Sequence, residues 1–246
     1  MSALISQGRL YGVGLGPGDP DLVTIKSLKA LQGAPVVAYF AKRGRRGNAR
    51  EIVETLLVPG VTELPLVYPV TVEIPFDSPQ YRAQLAAFYV EASEAIAAHL
   101  LAGRDVALLC EGDPLFYGSF MHIYARLREV FPVTICAGVT GMSGCWTAAG
   151  EPMTWGDDVL SVLPGTLPRE ELARRVADAD ALVFMKLGRN FAKVRSVLHE
   201  GGLLARAIYV ERGSMAQEVV TPLSEKHDDV APYFSIIIVP GQGRRP

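Results

Sequence analysis

The sequence predicts an α/β protein of two packed α/β domains, a mostly parallel N-terminal sheet followed by a mixed C-terminal one. Three observations carry that expectation. From Leu10 to about Cys136, short apolar β-rich runs alternate with helical patterns, as in a parallel sheet covered by helices. After Cys136 the pattern changes to a stretch rich in glycine, serine and alanine (137–150), then to strands broken by shorter helices. No long flexible linker lies between them, so residues 1–136 and 137–246 are expected as two domains packed into one body with a cleft. With 246 residues, 49% of them hydrophobic, the chain can bury a full core without staples.

The N-terminal strands are expected at 10–15, 36–40, 63–66, 106–110 and 133–136, each short and mostly apolar, as buried parallel strands are. A helix-like segment, 24–31, follows the first. The clearest helix spans 79–101. Asp77 or Ser78 caps it, Pro79 suits its first turn, Leu85, Phe88 or Tyr89, Ala92, Ile96 and Leu100 share a face, and Gly103 ends it. The basic run Lys42, Arg43, Arg45, Arg46, with interspersed glycines, reads as a loop. In the second domain, strands are expected at 159–163, 181–185, 207–211, 217–221 and 234–239, with helices at 169–179 and 190–200. The almost continuously apolar 234–239 reads as a central strand. The hairpin-like spacing between Glu211 and Gln217 predicts a partly antiparallel sheet.

Bulk properties exclude several classes. A formal net charge of −2 gives no field to recruit nucleic acid or an anionic membrane. Cys110, Cys136 and Cys145 are odd in number, lie in apolar surroundings and lack Cys-x-x-Cys spacing, against a disulfide framework or zinc site and for a reducing cytoplasm. The first nine residues have no apolar core of a signal peptide, and no run approaches a membrane span, so the chain is expected to be soluble and unprocessed. His99, His122, His199 and His227 are scattered without metal spacing, and Ser143 and Cys145 have no visible base partner, so neither a metal centre nor nucleophilic catalysis is expected.

Three glycine-rich segments each follow a strand. The first, Gly12-Val13-Gly14-Leu15-Gly16-Pro17-Gly18-Asp19-Pro20, resembles a dinucleotide loop, but the third glycine falls on Pro17 in one register and on Asp19 in the other. Proline-locked and closed by Asp19 and Asp21, it reads as a rigid loop approaching something that is not anionic. The second, Glu111-Gly112-Asp113-Pro114-Leu115-Phe116-Tyr117-Gly118-Ser119, repeats the Gly-Asp-Pro tripeptide and is expected on the same rim. Helix starts with an aspartate cap would explain either tripeptide alone. The third, Ala137-Gly138-Val139-Thr140-Gly141-Met142-Ser143-Gly144-Cys145, has small residues that admit close backbone approach, with Thr140 placed to cap a helix.

The order and spacing of these three motifs resemble the tetrapyrrole (corrin/porphyrin) methylases, S-adenosylmethionine enzymes of cobalamin and sirohaem synthesis. Phe184-Met185, Glu211-Arg212-Gly213 and the terminal apolar strand extend the likeness over essentially the whole chain. Glu111 departs from the glycine common in the family, and Ala137 from its usual proline. The resemblance implies a two-domain homodimer with S-adenosylmethionine in the cleft and S-adenosylhomocysteine as product. Carried over by motif, Pro17, Glu111, Gly112, Asp113, Phe116, Thr140, Gly141, Met185 and Gly213 line the cofactor, with Asp113 chiefly orienting it. Glu111–Ser119 and Met185-Lys186 are most similar to the branch that methylates C20 of precorrin-2 to give precorrin-3A, as is the 64–78 excursion before the long helix; a cobalt-precorrin-2 or uroporphyrinogen III methylase is the near alternative.

Methyl transfer from a sulfonium chiefly requires an in-line carbon nucleophile about 3–3.5 Å away in a dry site. The proton on the methylated carbon must then leave, and Asp19, Glu111, Asp113 and Tyr117 are the candidate acceptors by location. The substrate's peripheral carboxylates call for basic residues, for which Arg43, Arg45, Arg46, Lys186 and Arg189 are the candidates. No residues for metal insertion are evident, which favours a metal-free substrate. Two other classes are weighed: an NADP-dependent oxidoreductase, with Lys42 and Arg43 after the second strand, and a non-catalytic tetrapyrrole-binding protein.

Overall fold

The computed structural model describes residues 7–69 and 78–243. The chain divides into two compact units, one ending at Thr140 and the other beginning at Gly141. Asp77 and most of the 64–78 excursion lie outside the described residues.

In the first unit, β1 (Leu10–Gly14), α1 (Ile25–Gly33), β2 (Val36–Ala41), α2 (Asn48–Ile52), β3 (Thr62–Val67), α3 (Pro79–Leu101), β4 (Val106–Cys110), α4 (Phe120–Leu127) and β5 (Val133–Cys136) follow in order. The strands form one sheet in the order β3-β2-β4-β1-β5, and its strand pairings are parallel. Because side chains alternate along a strand, β4 sends Val106, Leu108 and Cys110 to one face and Ala107 and Leu109 to the other. The first face packs on α3 and α4 through Phe88, Ile96, Leu100, Phe120 and Ile123, whereas the second packs on α1 and α2 through Leu31, Ala49 and Ile52. Strands buried on both faces are why the sequence reads as continuous apolar runs rather than alternation.

Helix α3 starts where the Ser78 hydroxyl accepts the Tyr81 N–H at 3.1 Å, with Pro79 in the first turn. Its stripe of Phe88, Tyr89, Ala92, Ile96 and Leu100 is buried, and fully burying a side chain such as Ile96 or Leu100 contributes about 1.5–3 kcal/mol. Helix α1 is capped by Thr24, whose hydroxyl accepts the Ser27 N–H at 3.1 Å. Two helices were not expected from the pattern. Helix α2 is only five residues long, too short to show a period, and α4 directly follows the second glycine motif.

The second unit contains α5 (Gly141–Ala149), β6 (Leu160–Pro164), α6 (Arg169–Ala177), β7 (Ala181–Met185), α7 (Phe191–Glu200), β8 (Ile208–Glu211), β9 (Val219–Pro222) and β10 (Ser235–Val239). Its sheet, ordered β6-β7-β10-β8-β9, is mixed: β6 and β7 are parallel, and β10 runs antiparallel to both neighbours. The apolar 235–239 run is the central strand because its alternate residues fill two layers. Ile237 and Val239 meet α6 and α7, while Ile236 and Ile238 join Cys145 and Met153 on the α5 side. Strands β8 and β9 pair antiparallel, as the short Glu211-to-Gln217 spacing predicts.

Candidate active site

The order of the first sheet brings the three glycine motifs together. Strands β4, β1 and β5 are neighbours and parallel, so the segments leaving their carboxyl ends share one rim, with the first motif in the middle. The first two are joined by backbone: Gly112 N–H donates to the Gly16 carbonyl at 2.8 Å, and Gly16 N–H to the Gly112 carbonyl at 3.3 Å. A Cβ on Gly14 would stand 2.6 Å from the Gly138 nitrogen and 2.9 Å from the Gly112 oxygen. One on Gly138 would stand 2.0 Å from the same oxygen. The Gly14 and Gly138 backbones close on the Gly112 carbonyl, and the missing side chains of those two glycines let three main chains meet, while Gly112 takes a φ of 66°.

The carboxylates of the rim differ in what holds them. Asp113 accepts the Leu115 N–H on Oδ1 at 2.9 Å and the Gly138 N–H on Oδ2 at 3.0 Å, so it braces the second motif against the third. The helix-start explanation therefore fails for this tripeptide, since α4 begins only at Phe120. It holds for the other. Asp19 caps a single 3₁₀ turn, Pro20–Leu22, through an Oδ1 bond of 2.9 Å from the Asp21 N–H. Glu111 lies against the start of α2, near the Ala49 amide and the Asn48 side chain; burial pushes its carboxyl above the ordinary range, and those donors oppose the shift. Pro17 is buried, Phe116 is half-buried with its ring 4.8 Å from that of Tyr117, and Tyr117 is exposed.

In the second unit, Gly141 opens α5 directly after Thr140, the half-buried Met185 ends β7, and Gly213 lies just past β8. Gly213 is buried against α5: a Cβ there would meet Cys145 atoms at 2.9–3.0 Å. Burial pushes the Cys145 thiol up to about 12. Among the described residues, the non-glycines with positive φ are Tyr117 (54°), Lys186 (56°), Arg212 (48°) and Ser214 (73°). All four follow the carboxyl ends of β4, β7 or β8. Strained backbone of this kind costs about 1–3 kcal/mol per residue and clusters at functional sites.

Among the basic candidates, Arg43, Arg45 and Arg46 are exposed on the segment between β2 and α2, beside β4 in the sheet; Arg46 pairs with Glu54 at 2.5 Å. Lys186 and Arg189 are exposed in the second unit. Among the described residues no group of histidine, cysteine or acidic side chains could hold a metal ion. Beside the second motif lies a cluster that the sequence does not announce. The Ser119 hydroxyl lies 2.6 Å from the Tyr68 hydroxyl and 3.2 Å from that of Tyr89. Its signal, a serine closing the motif, is weak because the two tyrosines are far away in sequence.

Residues 9–227 match the family of tetrapyrrole (corrin/porphyrin) methylases. The chain belongs to that family. A precorrin-2 C(20)-methyltransferase from a Sinorhizobium species is 57% identical over 98% of this methylase and 99% of that protein. A cobalt-precorrin-2 C(20)-methyltransferase from Salmonella typhimurium is 28% identical over 94% of this chain and 96% of its own. The solved structure of a uroporphyrin-III C-methyl transferase from Thermus thermophilus, complexed with S-adenyl homocysteine, superposes with a TM-score of 0.65 at 26% identity, covering 95% of this chain and 92% of that one. The charges on the rim of this methylase suit the methyl donor of such enzymes. Segments 12–21 and 110–119 carry Asp19, Asp21, Glu111 and Asp113 and no lysine or arginine, a set that favours a sulfonium cation over a pyrophosphate.

Proposed function

We propose that this methylase transfers the methyl group of S-adenosylmethionine to C20 of precorrin-2, giving precorrin-3A in cobalamin biosynthesis, with S-adenosylhomocysteine as the other product. The observation that carries the reading is the 57% identity, over nearly the whole of both chains, to a protein of that name. The lower identity to the cobalt-precorrin-2 enzyme, 28%, favours the metal-free substrate. An oxidoreductase is disfavoured by the acidic rim and the missing third glycine. A homodimer in a reducing cytoplasm belongs to the same reading, the latter supported by three buried, free thiols. Among the described residues no helix is long and apolar enough to cross a membrane.

The donor supplies an already activated methyl group, so the protein's work is to position, to exclude water and to manage one proton. Pro17, Gly112, Phe116, Thr140, Gly141, Met185 and Gly213 are assigned to holding the donor, together with the backbone at Glu111. Asp113 serves by fixing the walls, since its two oxygens already accept backbone N–H groups. For the proton released from C20, Asp19 is the favoured acceptor: Oδ1 is fixed by the Asp21 N–H, and Oδ2 has no protein partner among the described residues. Glu111, the second carboxylate, steadies the start of α2, and Tyr117 meets the tetrapyrrole. Arg43, Arg45 and Arg46, with Lys186 and Arg189, orient the substrate's carboxylates. Equilibrium dialysis tests the class of enzyme. Tight retention of S-adenosylhomocysteine and none of NADPH is expected; retention of NADPH alone would refute the reading.

A further inference from the structure

Ser119 occupies the N-cap position of α4, where a serine hydroxyl ordinarily accepts a helix amide and contributes about 1 kcal/mol. Here it makes no such bond. With helical backbone angles (φ −69°, ψ −20°), its hydroxyl is instead hydrogen-bonded to that of Tyr68, just past β3, and accepts from that of Tyr89, in the middle of α3. Both tyrosine rings are locked. Tyr68 stacks on Phe40 at 5.5 Å and lies 4.8 Å from Phe88, while Tyr89 stacks on His122 at 4.2 Å and has the Arg126 guanidinium 5.8 Å from its ring centre.

The other end of the same segment is held too, by Asp113 and by the Phe116 N–H on the Asp113 carbonyl at 3.2 Å. Between these anchors Tyr117 has a φ of 54° and is 44% exposed. A non-glycine residue keeps that conformation only where its surroundings over-determine it. Releasing Ser119 frees one end of the turn while leaving the Gly14–Gly112–Gly138 junction and the Asp113 brace in place.

We propose that Tyr68 and Tyr89, acting through the Ser119 hydroxyl, are positioning residues that set how Tyr117 meets the tetrapyrrole, without touching substrate themselves. The proposal rests on the methylase reading above. It separates substrate placement from donor binding, for which Phe116 is the one residue assigned between the two anchors and the Glu111–Asp113 end supplies the rest of the turn's share.

The test combines Ser119→Ala, Ser119→Thr, Tyr68→Phe and Tyr117→Ala in steady-state kinetics with precorrin-2 and calorimetry with S-adenosylhomocysteine. Ser119→Ala and Tyr68→Phe are expected to lower kcat/KM for precorrin-2 by about tenfold, a misplacement of well under 1 Å, with S-adenosylhomocysteine Kd within about twofold of wild type. Ser119→Thr, which keeps the hydroxyl, restores most of the activity. In the Tyr117→Ala background, Ser119→Ala should cause little further loss. Donor affinity falling in step with kcat/KM, a full multiplicative loss in the double variant, or wild-type kinetics for Ser119→Ala would each overturn the proposal. Wild-type protein that fails to bind S-adenosylhomocysteine or to methylate precorrin-2 would instead overturn the function reading itself, in an arm that contains no variant.

Discussion

Gly138→Ala adds one carbon where three main chains meet. That Cβ would stand 2.0 Å from the Gly112 carbonyl oxygen and 2.9 Å from the Gly14 Cα, both backbone atoms with no rotamer to yield. Carbon–oxygen contacts rest at about 3.3–3.6 Å, so one strand exit must retreat by more than about 1 Å. Overpacking of this kind costs roughly 1–3 kcal/mol. The retreat also breaks the 3.0 Å bond from the Gly138 N–H to Asp113, and bonds to a charged group contribute about 1.5–3 kcal/mol. Together these amount to about 2.5–6 kcal/mol, and at roughly 2–4 °C per kcal/mol the melting temperature should fall by roughly 5–24 °C. Gly33→Ala is the matched control. Gly33 is the last residue of α1, with no positive φ and nothing within 4 Å of where the added methyl would stand, so it should be neutral or stabilising by up to about 1 kcal/mol. Thermal unfolding by circular dichroism, with S-adenosylhomocysteine calorimetry, reads both. Gly138→Ala melting within about 2 °C of wild type, with donor affinity intact, would refute the view that these glycines hold the rim together.

An ion pair, the buried thiols and the basic loop each carry a further expected outcome. Glu63 accepts two 2.9 Å bonds from the Arg50 guanidinium and one from the Tyr39 hydroxyl; the Arg50 contact above all holds its carboxyl below the ordinary value of 4.5. Its stabilisation is therefore complete above that value and is lost as pH falls through the lower folded one, so Glu63→Gln should melt earlier than wild type at pH 7 and converge with it in acid. Native protein should react with Ellman's reagent far more slowly than the guanidinium-unfolded chain, which should release three thiols, because all are buried and Cys145 is raised to about 12; rapid native labelling would contradict that burial. Precorrin-2 affinity should weaken as salt rises from about 0.05 to about 0.5 M if exposed Arg43, Arg45 and Arg46 orient its carboxylates, and a flat response would remove them from the site.

The fold was legible wherever local chemistry and burial agree. Helix α3 has its cap, proline, stripe and terminal glycine all in sequence, and the almost continuously apolar run of β10 announces a central strand. The rim was half legible. Spacing showed that three glycine motifs follow three strands, but the strand order that makes β4, β1 and β5 neighbours is a long-range property with no local mark. Nor does a residue lacking a side chain reveal what approaches it, and the main-chain contacts of Gly14 and Gly138 have no mark in the sequence. Asp19 was legible as a cap two residues before its donor, whereas Asp113 gives one oxygen to Gly138, 25 positions away. The Ser119 cluster was illegible because its partners are Tyr68, 51 positions before it, and Tyr89, 30 positions before it.

What sets the proposed reaction apart is the ring carbon that receives the methyl group. Incubating the protein with precorrin-2 and S-adenosylmethionine carrying a carbon-13 methyl group, then recording the product's mass and carbon NMR spectrum, identifies that carbon. One added methyl group, bonded to C20, is the predicted result. A labelled methyl on any other ring carbon, or no transfer by protein that binds S-adenosylhomocysteine, would contradict it.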